Sequence, residues 1–265
     1  MTDLFSHAGS EALDKFTSAG MLCLFDFDGT LAPLVADPDH AVLPQATLLQ
    51  LQQLQQLTTV GIVTGRSLAD MQTRLGFEPD YVVGNHGLEG LPGWQQRAAE
   101  MDAICRGWRA SLAAAVAGLD AGVELEDKRY TLSLHYRRAA DRQQACDGLN
   151  RLFAQLSPPP RIIPGKCVFS LTPPHAGDKG QAVEQLISLA TARCTLYVGD
   201  DVTDEDVFAL SRHDVLSVRV GADPRSAAQF FIPDWESMPR LLDQLLSRLS
   251  AQAAAFSLSR KHHQS

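Results

Sequence analysis

The chain has no excess of positive charge. Its 265 residues carry 23 Lys and Arg against 31 Asp and Glu, a formal net charge of −8 with a sequence pI near 5.4. No basic stripe offers itself to phosphates, which argues against non-specific binding to nucleic acid. A compact anionic ligand held by a few local cations or a metal remains open. Paired cysteines are also missing. Cys23, Cys105, Cys146, Cys167 and Cys194 are scattered, odd in number and never in a CxxC pair, so buried thiols in a reducing compartment are expected. No run approaches the roughly 18 apolar residues of a membrane span. The opening MTDLFSHAGSEALDKF has no basic stretch followed by an apolar one, so no secretory signal is expected. A cytoplasmic location is expected. No long exposed apolar stripe is legible, and a monomer is expected.

What is present is an ordinary globular composition, 45% apolar and 20% charged. It is enough for a sizeable core, in two domains or one with a large insertion. Met21–Phe25 reads as a buried strand. Leucines 48, 49, 51, 54 and 57 place a helix over Gln45–Leu57. Thr58–Val63 is a β-branched run, Ser67 can cap a helix to about Leu75, and Tyr81–Val83 is a third strand. The rhythm then changes. Gln96–Leu119 and Arg138–Leu156 read as helices. Val123–Glu126, Thr131–Tyr136, Arg161–Ile163 and Cys167–Leu171 read as strands, with Leu132, Leu134 and Tyr136 on one face. From Asp178 helix and strand alternate again: Asp178–Ala190, Cys194–Val198, Asp204–Ser211, Val215–Val218, and a closing helix Trp235–Leu249. The fold class expected is α/β, a Rossmann-like parallel-sheet core with an inserted α+β cap domain. The core takes 1–92 and 173–250, the cap 93–172, and 251–265 is a flexible tail.

In an open parallel sheet, ligands collect beyond the carboxyl ends of the strands. There the sequence places Asp26 and Asp28 ("FDFDGTL"), then Thr64, Gly65 and Arg66 ("TGR"). It also places Asp200 and Asp204 there ("GDDVTDE"), with Asp178-Lys179-Gly180 at a helix start. Asp26, Asp28 and Asp200 are hard oxygen ligands whose mutual repulsion a divalent cation relieves, and Mg²⁺ accepts a few carboxylates plus a phosphate oxygen. Lys179, the Thr64 hydroxyl and the Gly29-Thr30 amides suit the charged oxygens of a phosphoryl group in flight. One carboxylate can attack phosphorus and a second can move the proton. Singly, each motif has a plain alternative, an Asx-turn or a helix cap. All four in order, each after a strand or at a helix start, are hard to explain that way.

These four motifs resemble those of the haloacid-dehalogenase-like phosphatases. That resemblance implies Asp26 as nucleophile and Asp28 as acid/base, binding the metal through its backbone carbonyl. Thr64 and Lys179 would hold the phosphoryl oxygens, Asp200 would complete the metal site, and Asp204 would stand behind it.

Candidate selectors of the ester lie in the insertion: Glu126, Asp127 and Lys128; His135, Tyr136 and Arg137; Gly165 and Lys166. Glu126 and Lys128 could equally be a solvated strand face and His135 a structural hydrogen bond. "LEDK … LHYR … GKCVFSL … DKG … GDDVTDE", with "GNHGLE" at 84–89, resembles the trehalose-6-phosphate phosphatase sub-family. The resemblance implies Glu126 and Lys128 as sugar-binding and Arg66, Asn85, His86 and Lys166 as lining the crevice. The reaction would give trehalose and phosphate, with a sugar phosphate as the small-molecule partner. One position departs. Where the family carries a glutamate after "GKCVF", this chain has Ser170, shorter and uncharged. Three readings are open: a substitution that weakens substrate binding, drift compensated by a neighbour such as Thr172, or preference for another sugar phosphate. Two other functions stay open, a phosphatase for another sugar phosphate such as sucrose phosphate and a non-catalytic sugar-phosphate-binding module.

Overall fold

The computed structural model describes residues 1–18, 20–35 and 40–262. In chain order the elements are β1 (Thr2–Asp3), α1 (His7–Phe16), β2 (Met21–Phe25), α2 (Gln45–Gln55), β3 (Thr59–Val63), α3 (Leu68–Arg74) and β4 (Tyr81–Val83). Next come α4 (Trp94–Ala117), β5 (Glu124–Asp127), β6 (Leu132–His135), α5 (Arg142–Phe153), β7 (Arg161–Gly165) and β8 (Val168–Thr172). The chain closes with α6 (Lys179–Ala190), β9 (Cys194–Gly199), α7 (Glu205–Phe208), β10 (Val215–Val220), β11 (Phe230–Ile232) and α8 (Met238–His262).

Seven strands form one sheet in the order β1-β11-β10-β9-β2-β3-β4, every pair parallel. The central strand β2 is apolar at all five positions and buried at all five. The period of two divides it between two cores. Met21, Cys23 and Phe25 pack with Leu51 and Leu54 of α2 and with Leu241, Leu242 and Leu245 of α8. Leu22 and Leu24 pack with Val183, Leu186 and Ile187 of α6. At about 1.5–3 kcal/mol for each fully buried large aliphatic side chain, these two faces dominate the stability of the core. The chain runs from β2 to β3 and β4 on one side and returns through β9, β10 and β11 on the other. The crevice between β2 and β9 is therefore the point where strand order reverses.

Between β4 and α6 the chain builds a separate antiparallel sheet, ordered β5-β6-β8-β7. Its register aligns Leu125, Leu134 and Phe169 across three strands, and Glu126, Ser133 and Ser170 in the neighbouring row. Strand alternation therefore makes two unlike faces. The apolar face, with Leu132, Leu134, Phe169 and Leu171, packs on Trp108 and Leu112 of α4 and on Leu149 and Phe153 of α5. The other face carries Glu126, Ser133, His135 and Ser170. Tyr136, expected on the apolar face, stacks on Phe169 with ring centroids 5.3 Å apart.

Several elements depart from expectation. β1, α1 and β11 were not legible: β1 is a two-residue edge strand that exists only through its parallel pairing with β11. The helix expected over Asp204–Ser211 is a 3₁₀ turn at Val202–Asp204 followed by the single turn of α7. The tail expected to fray from Ser250 is helical as far as His262, and residues 263–265 lie outside the described residues. Among the described residues, no helix is long and apolar enough to cross a membrane.

Candidate active site

The carboxyl ends of β2, β3 and β9 bring the separate motifs to one crevice. Asp26 follows β2, its amide bonded to the Val198 carbonyl of β9 at 2.9 Å. The turn after it needs Gly29, which has φ +82 and whose added Cβ would overlap the Asp200 carboxylate. Only glycine combines that backbone with that approach. Thr30 Oγ1 reaches Asp200 Oδ1 at 3.4 Å. Asp26, Asp200 and Asp204 each present a carboxylate oxygen, all within 4.8 Å of one another.

Lys179 is 2% exposed. It opens α6, whose N-cap Asp178 accepts from the Gln181 amide at 2.8 Å. Its ammonium donates to Asp26 Oδ1 at 2.8 Å and to Asp204 Oδ1 at 2.7 Å. Burial alone would lower the Lys179 pKa, but Asp204 and Asp26 together hold it above the ordinary lysine value. Asp204 is fully buried and its acceptors are saturated. Oδ1 also takes the Tyr197 hydroxyl at 2.6 Å, and Oδ2 takes the amides of Asp200 and Asp201, both at 2.9 Å. Asp204 thus locks the loop that carries Asp200. Burial pushes the Asp26 and Asp200 carboxyls upward, and neighbouring carboxylates add to it. A bound cation reverses exactly such a shift, because it rewards the ionised form. The oxygen-only donor set fits a hard divalent ion.

Asp28 lies apart from this cluster. Arg66 donates Nε and Nη2 to its two oxygens, each at 2.6 Å. Arg66 also donates Nη1 to Asp70 at 2.7 Å, and Asp70 in turn accepts from Arg74 Nε at 2.7 Å. Burial opposes it, yet the hydrogen bonds from Arg74 and Arg66 hold the Asp70 carboxyl below its usual range. Thr64 is buried, and its hydroxyl accepts from the Arg66 amide at 3.2 Å.

A cavity of about 670 Å³ opens over the cluster. Asp26, Asp28, Arg66, Lys179 and Asp200 line its core side. Glu126, Lys128, Ser133, His135, Lys166 and Ser170 line the opposite side. Glu126 Oε2 lies 2.9 Å from His135 Nε2 and 3.8 Å from Lys128 Nζ. Burial works against it, but His135 and Lys128 hold the Glu126 carboxyl below its usual range.

Two residues expected to line the crevice are placed differently from each other. His86 does line it, in the left-handed region at φ 58, and its buried Nδ1 has no partner among the described residues. Burial, then the cations Lys179, Lys128 and Arg161, push its pKa well below the ordinary value, which favours the neutral ring. Asn85 sits instead between the two sheets. It accepts from Thr131 Oγ1 at 2.8 Å and donates to the Lys128 carbonyl at 3.5 Å. Thr172 does not stand in for the missing glutamate either, since its buried hydroxyl donates to the Arg161 carbonyl at 3.3 Å. The neighbour of Ser170 is Ser133, with hydroxyl oxygens 3.5 Å apart. Tyr197 was missed, because a tyrosine within an apolar strand reads as core.

The architecture, a parallel sheet with acidic loops at its carboxyl edge and an antiparallel sheet across them, is a fold shared with solved structures of sugar-phosphate phosphatases. The Trehalose-phosphatase family matches residues 24–232, and the chain belongs to that family. A trehalose-phosphate phosphatase of Mycobacterium marinum is 32% identical over 252 residues, which cover 89% of this chain. The chain spans 64% of that relative's length. The C-terminal domain of the Candida albicans trehalose-6-phosphate phosphatase shares the fold, with a TM-score of 0.72 at 21% identity over 93% of this chain and 99% of that one. The sucrose-phosphatase of Synechocystis shares it with a TM-score of 0.54 at 18% identity, over 86% and 98% of the two chains.

Proposed function

We propose that this chain is a Mg²⁺-dependent phosphatase that hydrolyses trehalose 6-phosphate to trehalose and phosphate, in the cytoplasm and as a monomer. The observation that carries this reading is the buried Asp26 carboxylate. It is held by Lys179 and grouped with Asp200 beneath a cavity roofed by polar side chains. Residues 93–172 act as the cap domain, and the core residues on either side of them supply the chemistry.

Asp26 attacks phosphorus, and the bond from phosphorus to the sugar oxygen breaks as the aspartyl-phosphate forms. Asp28 gives the leaving oxygen its proton, then takes one from the water that attacks the aspartyl-phosphate and releases phosphate. To do so its carboxylate must first loosen from Arg66 and take up a proton from solvent, which it then passes to the leaving oxygen. Lys179 and Thr64 hold phosphoryl oxygens as charge builds on them. Asp26, Asp200 and the Asp28 carbonyl are the proposed holders of Mg²⁺, with Asp204 fixing the loop behind Asp200. When bound, the ion neutralises charge on the phosphoryl oxygens. Glu126, Lys128, Lys166, His86 and Arg66 bind the sugar phosphate, Ser170 with Ser133 adds hydroxyl contacts, and Asn85 supports Lys128.

The test is phosphate release from a panel of sugar phosphates, with Mg²⁺ and then with EDTA. EDTA-sensitive preference for trehalose 6-phosphate supports the reading. Ser170 favours a second one, a phosphatase for another sugar phosphate such as sucrose phosphate, and metal-dependent activity with that preference would replace the first. No release from any ester would leave a non-catalytic binding module.

A further inference from the structure

The antiparallel sheet stands on the core by one end. The register puts Asp127, Leu132, Leu171 and Ile162 in one row, with Arg161 and Thr172 paired just beyond it. At the β5 edge of this end, the turn after Asp127 is tied to Asn85 through Lys128 and Thr131. In the middle, β8 runs into α6 through residues 173–178. At the β7 edge no connection of the chain passes to the core, because β7 follows α5 of its own layer. There the bond is made by a side chain. Arg161 Nη2 lies 2.7 Å from Asp206 Oδ2, and Arg161 Nη1 lies 3.6 Å from Asp178 Oδ2.

The two acceptors belong to the elements that present the phosphoryl-side groups. Asp178 caps α6, which opens with Lys179, and Asp206 stands in α7, two residues after Asp204. The helices touch through their backbones: a Cβ added at Gly180 would overlap the Asp206 carbonyl. Beside the clasp lies a cavity of about 220 Å³ lined by Arg161, Pro173, His175, Gly177, Asp178 and Gln181. It leaves room for the connector to shift. The connector also holds two residues at positive φ, His175 at 64 and Gly177 at 95.

We propose that Arg161 is a positioning residue. It couples the stance of the antiparallel sheet over the crevice to α6, which opens with Lys179, and to α7, which follows directly on Asp204. The β7 edge is the breakable foot of the layer: no chain connection crosses there, and among the described residues this charge pair is the side-chain bond that ties the edge to the core, beside its packing on the turn Val202–Asp204. Its kinetic consequence, but not its structural one, rests on the phosphatase reading. With Arg161 paired, Ser133 and Ser170 are held above Asp26 at a fixed distance. With the pair broken, the sheet tilts about its tethered β5 edge and the sugar loses register with the phosphoryl group.

The test is hydrogen exchange by mass spectrometry on the full chain, in a double-mutant cycle of Arg161→Gln and Asp206→Asn. Arg161 and Asp206 are partly exposed, so the effect is modest. Amides of residues 161–165 and 172–178 should exchange about two- to fivefold faster in each single variant, and no faster in the double. Unchanged exchange in Arg161→Gln, or fully additive effects, would overturn the proposal. In the same variants kcat/KM for trehalose 6-phosphate should fall about two- to fivefold, with p-nitrophenyl phosphate turnover unchanged. Equal losses on both esters would overturn the positioning role. A wild-type chain that releases no phosphate would count against the phosphatase reading, and the exchange cycle would still decide the clasp.

Discussion

The Lys179 ammonium lies 2.8 Å from Asp26 Oδ1, and neither side chain exceeds 6% exposure. Lysine is disfavoured at a helix N-terminus, where the dipole is positive, and burying any charge is costly. Both penalties are offset by the two carboxylates that face it. Removing the lysine leaves Asp26 and Asp204 buried without their cation. We expect Lys179→Ala to lower stability by about 3–5 kcal/mol, measured by urea unfolding in EDTA. A loss under 1 kcal/mol would show that the carboxylates are solvated or protonated at little cost.

Asp26→Asn is the opposite case. It leaves Lys179 paired with Asp204 and removes one buried charge, so the fold should persist with nearly unchanged urea midpoint. Phosphate release should fall by at least ~10³-fold, as expected for a lost nucleophile. Substantial activity in a clean preparation would remove Asp26 from that role.

Ser170 stands directly across from Ser133, on the face that looks into the crevice. A glutamate there would add a charged acceptor near Lys166 and Lys128, the cations of that wall. Ser170→Glu should raise kcat/KM for trehalose 6-phosphate by ~10–150-fold, the worth of one charge-assisted hydrogen bond. An unchanged or lower value would mean that the cavity selects another ester.

Most of this site was legible because its chemistry is local in sequence: two carboxylates two residues apart, a lysine after a capping aspartate, an acidic loop after an apolar strand. The alternation Leu132-Ser133-Leu134-His135 likewise announced which side chains would leave the apolar face; these line the crevice. What was not legible depends on pairing across the fold. The Arg66–Asp28 bond joins residues 38 apart, and Arg161–Asp206 joins residues 45 apart. Neither leaves a trace in composition or period. β1 exists only because β11 lies beside it. The length of α8 is a different matter. Its last turns run through Ala251–Ala255 without proline or glycine, so helix propensity favoured continuation, and the polar tail was mistaken for a stop.

Metal should stabilise the chain through the acidic cluster. Asp26, Asp200 and Asp204 crowd carboxylates within 4.8 Å, and burial with mutual repulsion raises the Asp26 and Asp200 pKa values. A ligand at 100 times its Kd adds about 2.7 kcal/mol. Mg²⁺ should therefore raise Tm by several degrees, EDTA should abolish the gain, and Asp200→Asn should remove most of it. A Tm indifferent to Mg²⁺ and EDTA would exclude a metal site of that affinity.

His86 should make the protein sensitive to mild acid. Burial is the main reason that its pKa lies well below the ordinary value, and Lys179, Lys128 and Arg161 add to the shift. Above about pH 6.5 the ring is neutral in both folded and unfolded chains, and its contribution to stability is fully present. As pH falls below that value the unfolded chain gains a proton that the folded chain refuses. Stability is then lost at roughly 1.4 kcal/mol per pH unit until the low folded pKa is reached. Asparagine tolerates the left-handed backbone at this position, so His86→Asn removes the titration while sparing the turn. Between pH 7.5 and 5.5 the urea-derived stability of the wild type should fall by roughly 1.4 kcal/mol more than that of the variant. Equal losses in the two proteins would mean that His86 can take up a proton in the folded state, through a group that accepts it in the crevice.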